Sequence, residues 1–471
     1  MTGFSTTINL KRLNMLIAFT KLQEANMSKQ IPQNKKTALS TQGYKGTRDF
    51  FPTDQRLKSF LNSKIHKLMM SYGYEEYAGP FVEHLELYAA KSSEEIVKDQ
   101  LYSFKDKGDR TLAIRPEMTP TLARMVAAKQ RELLKPIRWY SIPTCMRYER
   151  PQRGRLREFD QLNVDIFGGN PLDEDIEIIL TGIDILKSLG ASYQDFSVKI
   201  NHRGIINSFL TKILDIDFDN IPPILRLFDK KDKLSEENFQ NQCKNLNLSD
   251  ENIIKINSFM NASIEETIKL LGEYSSEAKE LKLRIDILKE LTSADCIVYS
   301  PEIMRGFDYY TGMVFEFFDR HPANQRALFG GGRYDNLVGA FGGDELPGVG
   351  YGAGDVALLN FMEVHGYLPN LIKQTDICVL RFSEQDRMTA LKLAKILRGV
   401  GLNIESPVSV SKFGKQIQYA EKIAAKAIVF QGEEEIKNQT FSVKWLKTGV
   451  QENFNLNPEG LDFFRKKVLN N

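Results

Sequence analysis

Arginines and acids alternate over one short stretch of this chain in a way that suits the binding of an anion. Residues 147–150 read Arg-Tyr-Glu-Arg, and a basic loop follows over 151–157. The chain then alternates polar and apolar residues over 161–166, which is typical of a half-buried strand. Guanidinium groups are permanently charged and can hold a phosphate through two parallel donors. The stretch therefore predicts an anion-binding hairpin, although an isolated Arg-Glu-Arg would fit a solvated surface hairpin equally well.

A second arginine that suits phosphate binding lies far downstream. Residues 305–310 read Arg-Gly-Phe-Asp-Tyr-Tyr, which brings a cation, an acid and two phenols together. By itself this segment would also fit the end of a strand with an ordinary Arg–Asp ion pair. In an enzyme, such cations stabilise the negative charge that develops on phosphoryl oxygens in the transition state.

Both segments resemble motifs of one protein family. Residues 147–161 match, in order, motif 2 of the class II aminoacyl-tRNA synthetases, and in detail (RxERPQxGRxRxFxQ) that of the histidyl-tRNA synthetases. Residues 305–310 resemble the signature RGxDYY of the same family. Residues 115–120, which read RPEMTP, would also permit a class II synthetase for proline, threonine or glycine, but RGFDYY argues against these.

The resemblance implies an activity, its substrates and its partners. A histidine–tRNA ligase activates histidine with ATP to histidyl-adenylate and pyrophosphate, and then transfers histidine to the 3′-terminal adenosine of histidine tRNA. The activation step relies mainly on positioning and on electrostatic stabilisation of phosphoryl oxygens. ATP as a substrate and Mg²⁺ are therefore expected, together with a cytoplasmic homodimer as the working form.

The resemblance also assigns side chains to each ligand. The catalytic cations at the α-phosphate of ATP are Arg147 and Arg305. Two further ATP contacts, at the adenine, are Glu149 and Phe159. The side chains that would bind histidine are Glu117, Thr119, Gln161, Asp165, Tyr309 and Tyr310. The residues that would contact the acceptor end of the tRNA are Arg150, Gln152 and Arg155.

Two positions depart from the family pattern. Asp165 stands where the family has a glutamate that contacts the imidazole ring, so the side chain loses roughly 1.5 Å of reach. Ala357 stands where motif 3 supplies an arginine to ATP, and no Lys or Arg lies between Arg333 and Lys373. Either Arg333 or the metal compensates, or ATP binds more weakly. The alternative is a non-catalytic paralogue that acts as a histidine-sensing regulatory subunit.

Composition restricts the class of protein without naming its ligands. The chain has 471 residues and a formal net charge of +2, so any phosphate binding must come from local clusters. The four cysteines and five histidines are scattered, which indicates neither a dedicated metal site nor a disulfide framework. The apolar run over 15–19 is too short to cross a bilayer, so no membrane association is expected.

The elements that must position these residues are predicted from periodicity. Apolar residues over 57–72 follow helical spacing, and Gly73 suits the end of that helix. A strand is expected over 77–82, and together the two resemble motif 1, the dimer-forming element. Residues 264–271, before Gly272, have helical spacing. They belong to a Lys-, Glu- and Asn-rich segment that we interpret as an insertion. In the tail, strands over 377–380, 427–430 and 441–445 alternate with helices over 387–398 and 413–426, which predicts a small α/β domain.

The predicted fold is an α+β catalytic domain with an antiparallel sheet, the class II synthetase fold, with a helical insertion and a C-terminal α/β anticodon-binding domain. The expected divisions are a disordered or mis-started extension at 1–40, the first catalytic part at 41–201, the insertion at 202–295, the second catalytic part at 296–366 and the anticodon-binding domain at 374–471.

Replacing the downstream arginine tests the resemblance directly. Arg305→Ala should lower histidine-dependent ATP–pyrophosphate exchange by about 100- to 1,000-fold, because one charge-stabilising donor at the transition state is lost. Far-ultraviolet circular dichroism should show an unchanged fold. Exchange at a near-normal rate would remove Arg305 from the mechanism.

Overall fold

The computed structural model describes residues 40–89, 96–228, 231, 234–303, 309–324, 326–371, 373, 375–406 and 412–470. The chain divides into two compact units, Met1–Asp49 and Phe50–Asn471. In the first unit the described residues 40–49 form a coil with one turn, in which Thr47 N donates to the Tyr44 carbonyl at 3.0 Å. The predicted extension lies, apart from residue 40, outside the described residues.

The second unit mixes helices and strands throughout. Its α-helices are α1 (Pro52–Ser71), α2 (Leu85–Ala89), α3 (Thr119–Lys129), α4 (Pro171–Ser188), α5 (Arg203–Ser208), α6 (Ile221–Phe228), α7 (Glu236–Asn245), α8 (Asp250–Met260), α9 (Ile264–Leu271), α10 (Ser276–Leu291), α11 (Asp355–Val364), α12 (Arg387–Gly399), α13 (Phe413–Lys422), α14 (Glu433–Lys437) and α15 (Pro458–Asn470). Its strands are β1 (Glu75–Glu76), β2 (Val82–His84), β3 (Tyr102–Lys105), β4 (Thr111–Ile114), β5 (Ile137–Ser141), β6 (Thr144–Met146), β7 (Glu158–Phe167), β8 (Phe196–His202), β9 (Ile297–Tyr299), β10 (Met313–Asp319), β11 (Ala327–Tyr334), β12 (Gly348–Gly354), β13 (Ile377–Val379), β14 (Ile404–Glu405), β15 (Ala427–Phe430), β16 (Thr440–Trp445) and β17 (Gln451–Asn455).

A large sheet dominates the residues before 366. Its strands follow the order β1-β5-β7-β12-β11-β10-β8-β9, and β6 also pairs with β7. In this order, every neighbouring pair in the stretch β5-β7-β12-β11-β10-β8 is antiparallel. The two outer pairs, β1–β5 and β8–β9, are parallel. The prediction of an antiparallel catalytic sheet is therefore confirmed. In the register of β7 and β12, Asp165 faces Gly350 and Gln161 faces Gly354, with Gly352 facing Asn163.

The helix predicted over 57–72 is confirmed, but the strand predicted after it is only partly present. Helix α1 buries Leu61, Ile65 and Met69, one turn apart, and the backbone turns at Gly73, whose φ is +74°. Residues 77–81 are coil between β1 and β2. One reason is Pro80, which has no N–H to give to a sheet.

The segment between β8 and β9 is helical, as its composition predicts. Helices α5 to α10 all lie between residues 203 and 291. Helix α9 begins with a capping box, in which Ser263 Oγ accepts from Glu266 N and Glu266 Oε2 accepts from Ser263 N. It ends at Gly272, as expected. Its buried Ile264 and Leu271 join the same core as the large sheet.

A separate sheet forms the tail, in the order β14-β13-β15-β16-β17. The first three strands are parallel and the last two pairs are antiparallel. The three strands and two helices predicted for the tail are confirmed, within a few residues at each end. Strand β17 and helix α15 were not expected. No helix in the described part of the chain is both long and apolar enough to cross a membrane.

Candidate active site

A cleft of about 350 Å³ opens on the large sheet, next to the loop that joins β6 to β7. Strands β7, β11 and β12 supply its floor, and the start of α3 supplies one wall. Nine of the residues predicted for the site line this cleft, which are Glu117, Thr119, Arg147, Glu149, Arg155, Phe159, Gln161, Tyr309 and Tyr310. Segments up to 193 positions apart in the sequence therefore meet in one place.

Four predicted residues are not among those that line the cleft. Arg305 lies outside the described residues. Arg150 and Gln152 are exposed on the loop beside the cleft, where the Gln152 and Arg155 backbones bond to each other. Asp165 is buried beneath the floor, with 1% of its surface exposed. The roles assigned to these four, like those assigned to the nine residues that line the cleft, stay predictions.

Strand alternation and glycine together make the floor. Phe159, Gln161 and Asn163 are alternate residues of β7, and all three face the cleft. The facing strand β12 carries glycine at every second position, and at Gly348, Gly350 and Gly352 a larger residue would collide with its neighbours. A Cβ on Gly352 would lie 2.3 Å from Gln161 Nε2, and one on Gly350 would lie 2.2 Å from Asp165 Oδ1. The polar side chains of β7 thus lie directly against the backbone of β12.

Arg147 presents a cation to the cleft, and no acid among the described residues forms an ion pair with it. Its Nε donates to the Pro116 carbonyl at 2.9 Å, and its guanidinium lies 5.3 Å from the centre of the Phe159 ring. Among the ion pairs of the described residues, none involves Arg147. A carbonyl and an aromatic face orient the guanidinium and leave its charge available to an anion.

Glu117 supplies a buried negative charge in the same cleft. The side chain is 2% exposed, and its Oε2 accepts a hydrogen bond from the Tyr309 hydroxyl at 3.1 Å. Thr119 begins helix α3, two residues further on. A buried carboxylate is costly unless it is paired, so a cationic ligand group would be held firmly beside it.

Tyr334 stands between Asp165 and the cleft. Its hydroxyl donates a short hydrogen bond to Asp165 Oδ1, and its ring lines the cleft next to Tyr310. Burial raises the pKa of Asp165 to about 7; the hydrogen bond from Tyr334 lowers this pKa, and the Glu117 charge raises it. Within the described residues, Asp165 Oδ2 and Asn163 Oδ1 are buried without a hydrogen-bond partner.

Arg333 does not replace the motif 3 arginine that is absent at position 357. The Arg333 side chain is buried against Asp175 at 2.8 Å and Glu174 at 3.0 Å, where Asp175 also binds Arg284 at 2.8 Å. It is not among the residues that line the cleft, whereas Ala357 is. Arg333 therefore joins sheet and helices and has no part in the cleft.

Arg155 brings a positive charge into the cleft that Ala357 also lines. Both residues line the cleft, and Arg155 Nη1 lies 3.4 Å from Glu149 Oε2. Arg153, two positions earlier on the same loop, instead donates from Nε to Asn360 Oδ1 at 2.8 Å, on helix α11. Arg153 and Arg155 thus differ in what they contact, although they lie on the same loop.

The residues of the cleft that sequence reasoning missed include Asn163, Glu316 and Tyr334. Strand alternation from Phe159 through Gln161 would have identified Asn163, because it has the same parity. Tyr334 belongs to the glycine-rich segment 330–335, in which the sequence pattern assigned no role to the tyrosine. Only the sheet order shows that β11 places this tyrosine over β7.

The buried acid predicts an unusual pH dependence. The pKa of Asp165 rises from 3.8 to about 7 on folding, so the folded chain binds the extra proton between these values. The free energy of unfolding of the wild type, relative to Asp165→Asn, should therefore fall by about 1.4 kcal/mol per pH unit up to pH 7 and then level off. Urea titrations followed by Trp139 fluorescence measure this free energy of unfolding at each pH. The exposed variant Asp286→Asn should keep the wild-type profile, and a pH-independent difference for Asp165→Asn would contradict the assignment.

Comparisons with known proteins agree on one family. Residues 46–356 match the family model described as histidyl-tRNA synthetase, and residues 376–461 match the model described as anticodon binding domain. A histidine–tRNA ligase of Leptospira biflexa is 43% identical over 89% of this chain and 96% of its own length. One of Haloarcula marismortui is 37% identical over 86% of this chain and 94% of its own.

Solved structures agree on the fold. The histidyl-tRNA synthetase of a Nostoc species superimposes with a TM-score of 0.74 at 24% identity, covering 91% of this chain and 100% of that one. A Bacillus halodurans protein described as an ATP phosphoribosyltransferase regulatory subunit/histidyl-tRNA synthetase gives 0.69 at 24% identity, covering 84% and 99%. Because a family model covers well over half of the chain and the Leptospira relative is 43% identical across most of it, this chain belongs to the histidyl-tRNA synthetase family.

Proposed function

We propose that this chain is a histidine–tRNA ligase, which forms histidyl-adenylate in the cleft and then transfers histidine to its tRNA. One observation carries the proposal: the cation Arg147 and the buried anion Glu117 line the same cleft. An amino acid needs an anion for its ammonium group, and ATP needs a cation at its α-phosphate. Membership of the family supplies the amino acid and the reaction class.

Histidine would lie at the Glu117 end of the cleft. Its ammonium group would pair with Glu117, with the Thr119 hydroxyl and the Gln161 amide oxygen as further acceptors. Its imidazole ring would lie against Tyr310, near Tyr334 and the unpartnered oxygen of Asn163. A site that hydrogen-bonds the ring nitrogens rejects apolar side chains, because they would leave buried polar groups unpaired. Asp165 would influence the imidazole through Tyr334, whose hydroxyl donates to it.

ATP would lie across Phe159, with its α-phosphate at Arg147. The ring of Phe159 packs under the Arg147 guanidinium, so a stacked adenine would stand close to the cation that holds the phosphate. Glu149 would accept from the exocyclic amine of adenine. Arg305 would complete the charge at the α-phosphate. The histidine carboxylate attacks this phosphorus, forming the mixed anhydride while the bond to pyrophosphate breaks.

We further propose that Arg155 holds the outer phosphates of ATP, in place of the motif 3 arginine. The resemblance places Arg155 at the tRNA acceptor, yet its side chain lines the cleft beside Ala357. Arg150 and Gln152 keep the tentative acceptor role, because they lie on the same loop but outside the cleft.

Mg²⁺ would enter with ATP and neutralise the leaving pyrophosphate when bound. The described residues contain no group of three or more acidic, His or Cys side chains placed to hold a metal alone. Mg²⁺ usually keeps phosphate oxygens and waters among its ligands and takes one or two carboxylates from the protein. The cleft suits this coordination, because the carboxylates of Glu149 and Glu316 both line it.

The tRNA, the dimer and the compartment complete the proposal. The anticodon-binding domain at 376–461 would contact the tRNA far from its acceptor end, where the ribose hydroxyl attacks the adenylate and releases AMP. A homodimer would cover apolar side chains of the motif 1 segment, since Met70 and Phe81 are 72% and 43% exposed. The four cysteines are buried and none forms a disulfide, which suits a reducing cytoplasm.

The second candidate is a histidine-sensing regulatory subunit without catalysis. Ala357 favours it, because a motif 3 cation is absent. The uncancelled Arg147 and the anticodon-binding domain disfavour it, since a sensor needs neither a cation at the α-phosphate nor a tRNA reader.

Exchange of pyrophosphate into ATP decides between the two. The wild-type chain should catalyse ATP–pyrophosphate exchange with histidine and with no other member of a panel of amino acids. Specific binding of histidine without exchange, seen by calorimetry, would support the sensor and overturn the ligase.

The two loop arginines test the assignment of Arg155. Arg155→Ala should raise the KM for ATP in the exchange reaction by about tenfold or more, because a charge-assisted contact to phosphate is lost. Arg153→Ala is the matched control, since it lies on the same loop and contacts Asn360; it should leave the KM for ATP within about twofold. Equal effects of both variants would show that Arg155 acts only through the loop.

A further inference from the structure

Two tyrosines of the cleft lie on a connecting segment of the backbone and not on a strand or helix. Tyr309 and Tyr310 stand in the connection that leads into β10, and only 9% and 7% of their surface is exposed. Both line the cleft. Side chains on a connection are placed less firmly than those on a strand or helix, so contacts that hold this backbone decide where the two rings lie.

Arg203 holds this connection from the neighbouring strand. It directly follows β8, which pairs with β10, and it begins helix α5. Its Nη1 donates to the Tyr310 carbonyl at 2.8 Å, and its backbone N donates to the Gly312 carbonyl at 3.0 Å. A charged donor makes a stronger hydrogen bond than a neutral one. One half-buried residue thus fixes the backbone on both sides of Thr311.

Asn201, two positions earlier, holds the chain where it enters the same signature. The Asn201 side chain is fully buried, and its Nδ2 donates to the carbonyls of Pro301 and Ile303, each at 3.1 Å. The end of β8 therefore holds the chain on both sides of the segment Arg-Gly-Phe-Asp-Tyr-Tyr.

The surroundings of the two rings leave little room for a displacement of their backbone. The Tyr310 ring lies against Gly332 of β11, where a Cβ would stand 3.1 Å from it. It stacks on Tyr334 with ring centres 6.3 Å apart, and Tyr309 meets it edge-on at 5.1 Å. The Tyr309 hydroxyl in turn donates to Glu117. A shift at the Tyr310 carbonyl would therefore disturb both the imidazole and the ammonium contacts proposed for histidine.

We propose that Arg203 is a positioning residue of the histidine site, which acts by holding the backbone of Tyr310 and so the rings that would contact the ligand. Arg203 does not itself line the cleft. The inference rests on the proposed function for the identity of the ligand. It adds a residue at the start of the helical segment between β8 and β9 to those that decide how tightly histidine is held.

Removal of the guanidinium tests the positioning role. Arg203→Met keeps most of the length of the side chain and loses its donors. It should raise the KM for histidine in ATP–pyrophosphate exchange, and the Kd for histidine in calorimetry, by about 10- to 100-fold, because a misplacement of about 1 Å weakens each contact that the tyrosines make. The KM for ATP should stay within about twofold, since Arg147 and Phe159 lie on other elements. Arg203→Lys keeps a charged donor on a shorter side chain, so its increase should be smaller, about three- to tenfold.

A double-mutant cycle tests whether Arg203 acts through Tyr310. Tyr310→Ala removes the ring, so adding Arg203→Met to it should raise the KM for histidine by a smaller factor than in the wild-type background. An increase as large as the one in the wild-type background would show that Arg203 acts elsewhere and would overturn the inference.

Arg138→Met is the matched control. Arg138 on β5 is half-buried and does not line the cleft, and its guanidinium donates to Glu177 at 2.7 Å and 2.8 Å. This substitution also removes a charged donor from the large sheet, but it should leave the KM for histidine within about twofold.

The inference is overturned if Arg203→Met binds histidine within about twofold of the wild type, or if its KM values for histidine and ATP rise equally. If circular dichroism shows that Arg203→Met does not fold, Arg203→Lys decides by the same limits. Calorimetry with histidine needs no ATP, so a wild type that binds histidine without exchange overturns the ligase proposal and leaves the test of Arg203 intact. A wild type that does not bind histidine overturns both.

Discussion

The close approach of β12 to β7 is the constraint on which the rest of the cleft depends. Glycines at alternate positions of β12 let Gln161 and Asp165 lie against its backbone, at distances where any Cβ would collide. A polar floor can then be buried inside a sheet that is otherwise packed with apolar side chains. Because neighbouring strands share one register, the same pairing also fixes how Tyr334 on β11 reaches across to Asp165.

The two arginines Arg333 and Arg147 have different roles in this part of the protein. Arg333 is cancelled by Glu174 and Asp175 and serves packing, since a buried charge pair tolerates the loss of neither partner. Arg147 is oriented by neutral groups and remains available for an anion. One arginine, on β11, thus holds elements together, and the other, directly after β6, is available for chemistry.

Much of the site could be predicted from the sequence because its residues occur in ordered motifs. The nine predicted residues that line the cleft come from three such segments. The fold class followed from the resemblance of these motifs to those of a known family, and periodicity predicted individual helices and strands. The burial of Asp165 behind Tyr334 could not be predicted, because it depends on the order of β7, β12 and β11, which local patterns do not contain. The state of Arg333 was missed for a similar reason, since its acidic partners lie on α4, about 160 positions away.

The central claim is that one cleft holds histidine by the buried charge of Glu117 while its arginines hold the nucleotide. The most direct measurement is calorimetric titration with a stable sulfamoyl analogue of histidyl-adenylate, which carries the ammonium group, the imidazole and the adenosine together. The account predicts one tight site per chain, weakened about 100-fold or more in Glu117→Gln, because the ammonium group loses its charged partner. Equal affinity of Glu117→Gln and the wild type would contradict it.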